Sequence, residues 1–190
     1  MAANKKRAFD GLYAQLEEVN NHVVLFAAKG EPSVIFEMTN PVQQLCTDAE
    51  QYLRFQDVLS NIVQTLGEGY SLQKQDVFCK QSYHHEVPED AEFLTRSYFR
   101  YFEGREFTEI RTFLILTQEA QRSQFVQYDP KKWLDFHAKV NKVSDILSEK
   151  HIRHRMLSKE EVNEYCHRFM AFQFRHGPFS MTNFKASDEY

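Results

Sequence analysis

Apolar and polar positions along the chain change period several times, and each change predicts an element. Phe9, Leu12, Tyr13 and Leu16 fall at helical spacing, which predicts an amphipathic helix over residues 1–19. The runs "HVVLFAA" (22–28) and "SVIFEM" (33–38) are short, β-rich and separated by "KGEP", the pattern of a hairpin. Beyond Pro41, Thr47 and Glu50 in "TDAE" form a capping-box pattern that starts a helix. Its predicted apolar face carries Ala49, Tyr52, Leu53, Leu59, Ile62, Val63 and Leu66, with Arg54, Asp57, Ser60 and Asn61 toward water. Gly67 stands where a closing glycine is expected.

"YSLQKQDVFCK" (70–80) reads as a strand with mixed faces. Pro88 suits the first turn of a helix through "PEDAEFLTRSYFRYF", with Glu89, Asp90 and Glu92 complementing its dipole and Gly104 ending it. "IRTFLILT" (110–117) is apolar on both faces and predicts a central strand. Asp129 and Pro130 open a further helix whose buried stripe is Trp133, Phe136, Val140, Val143, Ile146 and Leu147. "HIRHRML" fits a short strand or a linker. A second capping box, Ser158 to Glu161, starts a last helix through Val162, Tyr165, Phe169 and Phe172, which ends before Gly177-Pro178.

This succession predicts an α+β fold: a ferredoxin-like-type sheet in ββαβαβ order, with additional C-terminal helices. Residues 1–19 are expected as an N-terminal helix, 20–128 as the α+β sheet domain and 129–190 as a helical extension packed on it, together one compact unit. A chain of 190 residues buries about 70% of its unfolded surface, so no metal or disulfide staple is required. The net charge of −4 opposes non-specific nucleic-acid binding, which needs a basic field. Cys46, Cys79 and Cys166 are odd in number and scattered, which reads as reduced thiols in the cytoplasm. The longest apolar run, "FLIL" (113–116), is too short to span a bilayer, and no apolar core follows the basic start. A soluble chain is expected.

Candidate chemistry is sparse. "TLGEGYSLQKQD" (65–76) has the glycines of a phosphate loop, but a helix precedes it and a strand follows, the reverse of what a phosphate needs. Gln73 stands where that motif needs a glycine, and Gln75 follows Lys74 in place of serine or threonine. The stretch predicts a helix-to-strand turn. His84 and His85 are adjacent in "YHHE", and neighbours in extended chain point to opposite sides, so they form no chelate alone. Joined by Cys79, His151 or His154 they offer a metal-binding alternative. Cys166 and His167 are splayed by about 100° on a helix and cannot act as a thiolate–imidazole pair. No catalytic residue, metal ligand or cofactor site is assigned.

Two segments qualify as partner surfaces. "KHIRHR" concentrates Lys150, Arg153 and Arg155 with two histidines, a basic run suited to an acidic partner. "RSYFRYFEGREF" crowds Tyr98, Phe99, Tyr101 and Phe102 into five positions, more than one helix face can hold. The interleaved Arg96, Arg100 and Arg105 are similar to a stacking platform for single strands, which the acidic total opposes.

From His22 onward the text, above all "IFEMTNPVQQLCTDAEQYLRFQDVLSNIVQTLGEGYSLQKQDVFCKQSYHHEVPEDAEFLTRSYFRYFEGREFTEIRTFLILTQE" (35–119), resembles the N-terminal region of TraG-type conjugation ATPases of Bacteroides-like conjugative transposons. These are similar to the VirB-type ATPases of type IV secretion. The last stretch, "FRHGPFSMTNFKASDEY", resembles the approach to that family's central region, which implies a fragment of a longer protein. The family's Walker motifs belong to a downstream motor domain, and no catalytic residue carries over to this sequence. The resemblance implies a non-catalytic assembly and docking domain acting by protein–protein contacts. It implies as partners other ATPase subunits and inner-membrane channel components, with homo-oligomerisation and without direct DNA binding. The implied location is cytoplasmic, peripheral to the inner membrane through the secretion complex.

Overall fold

A computed structural model describes residues 15–27, 30–40, 48–88, 90–119 and 129–174. Phe9, Leu12, Tyr13, Pro41, Cys46, Thr47, Glu89 and Gly177-Pro178 lie outside the described residues. The class is α+β, with one six-stranded sheet and four helices among the described residues.

Over residues 15–19 the first described element is a strand where the sequence predicts a helix; the rest of that predicted helix lies outside the described residues. Gln15–Val19 is a strand, β1, paired antiparallel with β2 (His22–Phe26). Asn20 and Asn21 join them at φ 51° and 64°. A two-residue hairpin turn needs positive φ at both positions, which asparagine tolerates better than most residues. β3 (Pro32–Met38) follows, and β2 meets it at Leu25↔Ser33 and Phe26↔Pro32.

Helix α1 (Ala49–Leu66) is capped by Asp48, whose side chain accepts from the Glu50 N–H at 2.9 Å. Its buried face is Phe55, Val58, Ile62 and Leu66, while Tyr52, Leu53 and Val63 are exposed. The predicted stripe is thus rotated toward Phe55 and Val58, and only Ile62 and Leu66 of its residues are buried. Gly67 closes the helix at φ 69°, its N–H donating to the Val63 carbonyl. β4 (Tyr70–Ser82) follows directly.

Helix α2 (Phe93–Phe102) begins five residues after Pro88, not at it. Pro88 accepts from the Ala91 N–H in a turn, so Asp90 and Glu92 precede the helix instead of filling its first turn. β5 (Glu106–Gln118) is the predicted central strand, between β3 and β4. Helix α3 (Pro130–Glu149) starts at the Asp129 cap and buries Phe136, His137, Val140, Val143, Ile146 and Leu147. The short strand β6 (His154–Met156) leads to α4 (Lys159–Ala171), whose Ser158–Glu161 capping box is complete.

Strand order is β1-β2-β3-β5-β4, with β6 on β3, and each pairing is antiparallel. β2 and β6 share one edge of β3: β2 takes its start, β6 takes Phe36–Met38. Alternation along β3 sends Val34, Phe36 and Met38 to a core under α1 and α3, and Ile35 to a second core under α4. The sheet is buried on both faces where β3 and β5 cross it, which is why both strands read as nearly continuous apolar runs. Residues 129–174 are integral to this packing, since α3 fills the larger core and β6 joins the sheet.

Candidate docking surface

β3 pairs β5 only from Thr112 to Thr117. Past that point β4 and β5 pair only with each other among the described residues, Val77–Ser82 against Arg111–Glu106, as a two-stranded arm. At ~3.4 Å per residue it projects about 20 Å. The chain between the two strands forms α2 at the arm's end.

No residue of α2 is buried. Phe93, Leu94, Tyr98 and Tyr101 are 78%, 76%, 57% and 60% exposed. Phe99 and Phe102 are half-buried and tie the helix to the arm: Tyr83 stacks 6.5 Å from Phe99 and meets Phe102 edge-on at 6.1 Å, and His85 lies 4.4 Å from Phe99. Tyr98 contacts Phe102 at 4.6 Å, and the Arg105 guanidinium sits 3.7 Å over the Tyr101 ring. Four aromatics crowded on one helix therefore split two ways. One pair anchors, the other faces out.

The basic run divides as well. Lys150 and Arg153 are exposed, but Arg155 is clamped between Glu37 Oε2 at 2.5 Å and Glu161 Oε2 at 2.7 Å. Glu37 also receives Arg111 from β5, at 2.9 and 2.7 Å. The hydrogen bond to Arg155 holds the Glu161 carboxyl below the usual range, helped by the Ser158 N–H. Strand alternation puts His154 on the opposite face, where its Nε2 lies 2.8 Å from Ser144 Oγ and its Nδ1 2.9 Å from the Ile152 carbonyl. The two predicted surfaces are not one patch, since β3 and the base of the arm lie between β6 and α2.

His84 Nδ1 pairs with Glu103 Oε1 at 2.5 Å, and His85 packs on Phe99, so both adjacent histidines are engaged by α2 and its C-cap. His151 is exposed at the end of α3 with φ 56°. Among the described residues no three His, Cys, Asp or Glu side chains gather as a metal site. Cys166 is buried, which pushes its thiol up to about 11. Among the described residues no helix is long and apolar enough to cross a membrane.

A second site has no counterpart in the sequence reading. Where the β1–β2 turn leaves β3, a cavity of about 230 Å³ opens between that turn, α3 and β6, lined by Asn21, His22, Asn141, Ser144 and His154 among others. Beside it the buried His22 and His137 place their Nδ1 atoms 2.5 Å apart, with rings 14° from parallel. His22 Nε2 lies 3.0 Å from Asn141 Oδ1 and so donates there. With His22 donating at Nε2, its Nδ1 accepts from His137, whose Nε2 has no hydrogen-bond partner among the described residues. Burial first, and then the repulsion two protonated imidazoles would exert on each other, push the His137 imidazole below its ordinary value. The Ser144–His154 pair has the form of a nucleophile and base. Ser144 sits mid-helix, however, where backbone N–H groups are spent within the helix and no donor pair faces an oxyanion. It fastens β6 to α3.

A scan against protein-family models and a search of curated proteins find no match to this chain.

Proposed function

We propose that this chain is a non-catalytic assembly and docking domain of a conjugative-transfer ATPase, of the TraG type within the VirB-type motors of type IV secretion. It acts by protein–protein contacts, and the ATP-hydrolysing domain lies downstream in the full protein. One observation carries the reading: α2, a helix without a buried residue, presents apolar and aromatic side chains at the end of a projecting arm. Burying a side chain of that size gains roughly 1.5–3 kcal/mol, so three or four of them support a specific contact. The continuous resemblance over residues 35–119 supplies the machine.

We also read the core as ferredoxin-like. Taken without the β1–β2 hairpin, α2 and α4, the elements run β3-α1-β4-β5-α3-β6. Their spatial order is β6-β3-β5-β4, antiparallel, with α1 and α3 against one face. A split βαβ arrangement of this kind supports that reading.

The partners are other ATPase subunits and inner-membrane channel components, which would place the domain at the cytoplasmic side of the inner membrane. The rival reading, a metal- or nucleic-acid-binding module built on His84, His85 and residues 150–155, has less behind it. Arg155 is held by two carboxylates and His154 by Ser144. Membrane vesicles carrying the conjugation channel should retain the purified chain, and should lose it on Tyr98→Ser. Equal retention by vesicles without the channel, or ATP turnover by residues 1–190, overturns the reading.

A further inference from the structure

β4 is the outermost strand beside β5, and among the described residues no strand pairs with its other edge. The ladder fixes which backbone groups face outward. The Tyr83 N–H donates to the Arg105 carbonyl, and the Glu119 N–H donates to the Gly69 carbonyl. Odd-numbered positions therefore spend their polar groups on β5. Bonded and non-bonded pairs alternate in an antiparallel ladder, and the register runs unbroken from Tyr70↔Gln118 to Ser82↔Glu106. The even-numbered residues of β4 thus present their N–H and C=O groups to an open edge.

Edge strands are usually blunted by shortness, proline or a bulge. β4 is 13 residues long, contains no proline and keeps a constant register. Its remaining guard is charge, at Lys74, Asp76 and Lys80. Lys74 and Asp76 pair with each other along the strand, Asp76 also accepts from the Thr112 hydroxyl, and Lys80 lies 3.6 Å from Glu106, so a second strand would exchange the first pair for cross-strand ones. That pattern repels most strands but is complementary to itself. Antiparallel pairing about a two-fold axis at Gln75 sets Lys74 opposite the partner's Asp76, twice. It also sets Leu72 opposite the partner's Phe78 and Tyr70 opposite the partner's Lys80. All are even-numbered pairs, whose backbone groups face outward. Axes at Lys74 or Asp76 oppose like charges, and an axis at Val77 sets Lys74 against Lys80. An axis at Phe78 satisfies the charges over a shorter overlap and leaves Leu72 out. Phe78 itself is 67% exposed on β4.

We propose that this edge is a self-association site: a second copy of the chain adds its β4 antiparallel, centred on Gln75, joining two sheets into one. The inference does not rest on the α2 contact, because the β4 edge and the end of the arm are separate surfaces.

Sedimentation of the full chain across the micromolar range tests it, and a concentration-dependent dimer is expected. Phe78→Pro removes an outward N–H and no bond to β5, so dimerisation should weaken by about tenfold or more with unchanged circular dichroism. Lys74→Asp and Asp76→Lys should each weaken it by about tenfold through cross-strand repulsion. The double exchange, Lys74→Asp with Asp76→Lys, should restore it. A chain that stays monomeric, a dimer indifferent to these variants, or singles that weaken without rescue by the exchange overturns the proposal.

Discussion

His22 and His137, 115 positions apart, share one buried proton between Nδ1 atoms 2.5 Å from each other. The pair fastens the β1–β2 hairpin to α3. Its other neighbours are Asn141 at His22 Nε2 and the Trp133 ring, edge-on to His137 at 4.6 Å. His154 stands across the adjoining cavity. Neither these neighbours nor the α3 residues Phe136 and Val140 carry a carboxylate to balance a second proton.

Stability should therefore fall in mild acid. The folded His137 resists protonation, while the unfolded imidazole takes its proton near the ordinary 6.5. The unfolded state then binds more protons, and stability is lost as pH falls below that value. Thermal melts between pH 8 and 5 should show this slope. His137→Asn keeps a donor toward His22 and removes the titration, so it should flatten the slope. An unchanged slope contradicts the assignment.

A second acid loss belongs to Glu161. Its folded carboxyl is held below 4.5, chiefly by Arg155, so its contribution is present above that value and lost as pH falls through the folded one. Glu161→Gln keeps the cap geometry but releases Arg155, and should cost up to about 1 kcal/mol, because the pair is half-exposed and screened. Glu161→Ala also opens the capping box and should cost about 1–2 kcal/mol in denaturant titrations.

Cys166 should be inert in the native chain. Its thiol, pushed up to about 11 by burial, carries almost no thiolate at neutral pH. Alkylation followed by peptide mass mapping should leave Cys166 unlabelled until the chain is denatured. Labelling at the rate of an exposed thiol contradicts its place on the buried face of α4.

Arm and core should respond oppositely to truncation. Phe93→Ser and Leu94→Ser, on exposed positions, should shift stability by no more than about 0.5 kcal/mol each. Phe36→Ala, fully buried between the sheet and α3, should cost about 3–5 kcal/mol. Denaturant unfolding distinguishes the two classes directly.

Much of this architecture is legible in local pattern. β5 reads as central because Phe113 and Leu114 serve different cores from adjacent positions. The Asp129 and Ser158 caps read true because their chemistry is local. Gly67 and Gly69, which imitate a phosphate loop, end a helix and begin a strand at φ 69° and 81°.

What local pattern hides is set by tertiary contact. Leu16 and Val19 keep the helical spacing of three, and only pairing with β2 makes them strand residues. Pro88 fits a helix start, but its carbonyl accepts from the Ala91 N–H in a turn and α2 starts only at Phe93. "KHIRHR" reads as one basic cluster until strand alternation sends Arg155 to Glu37 and His154 to Ser144. The His22–His137 pair has no local signal. His137 follows Phe136 on a buried stripe, and its partner lies on a hairpin at the other end of the sequence.

The proposed docking role puts α2 at the contact between this domain and its machine. The direct measurement is conjugation frequency with the full-length protein carrying Phe93→Ser, Leu94→Ser and Tyr98→Ser together, alongside its ATP hydrolysis. Loss of three buried apolar contacts predicts a drop of at least about a hundredfold in transfer, with hydrolysis and folding retained. Transfer at the unsubstituted level would contradict it.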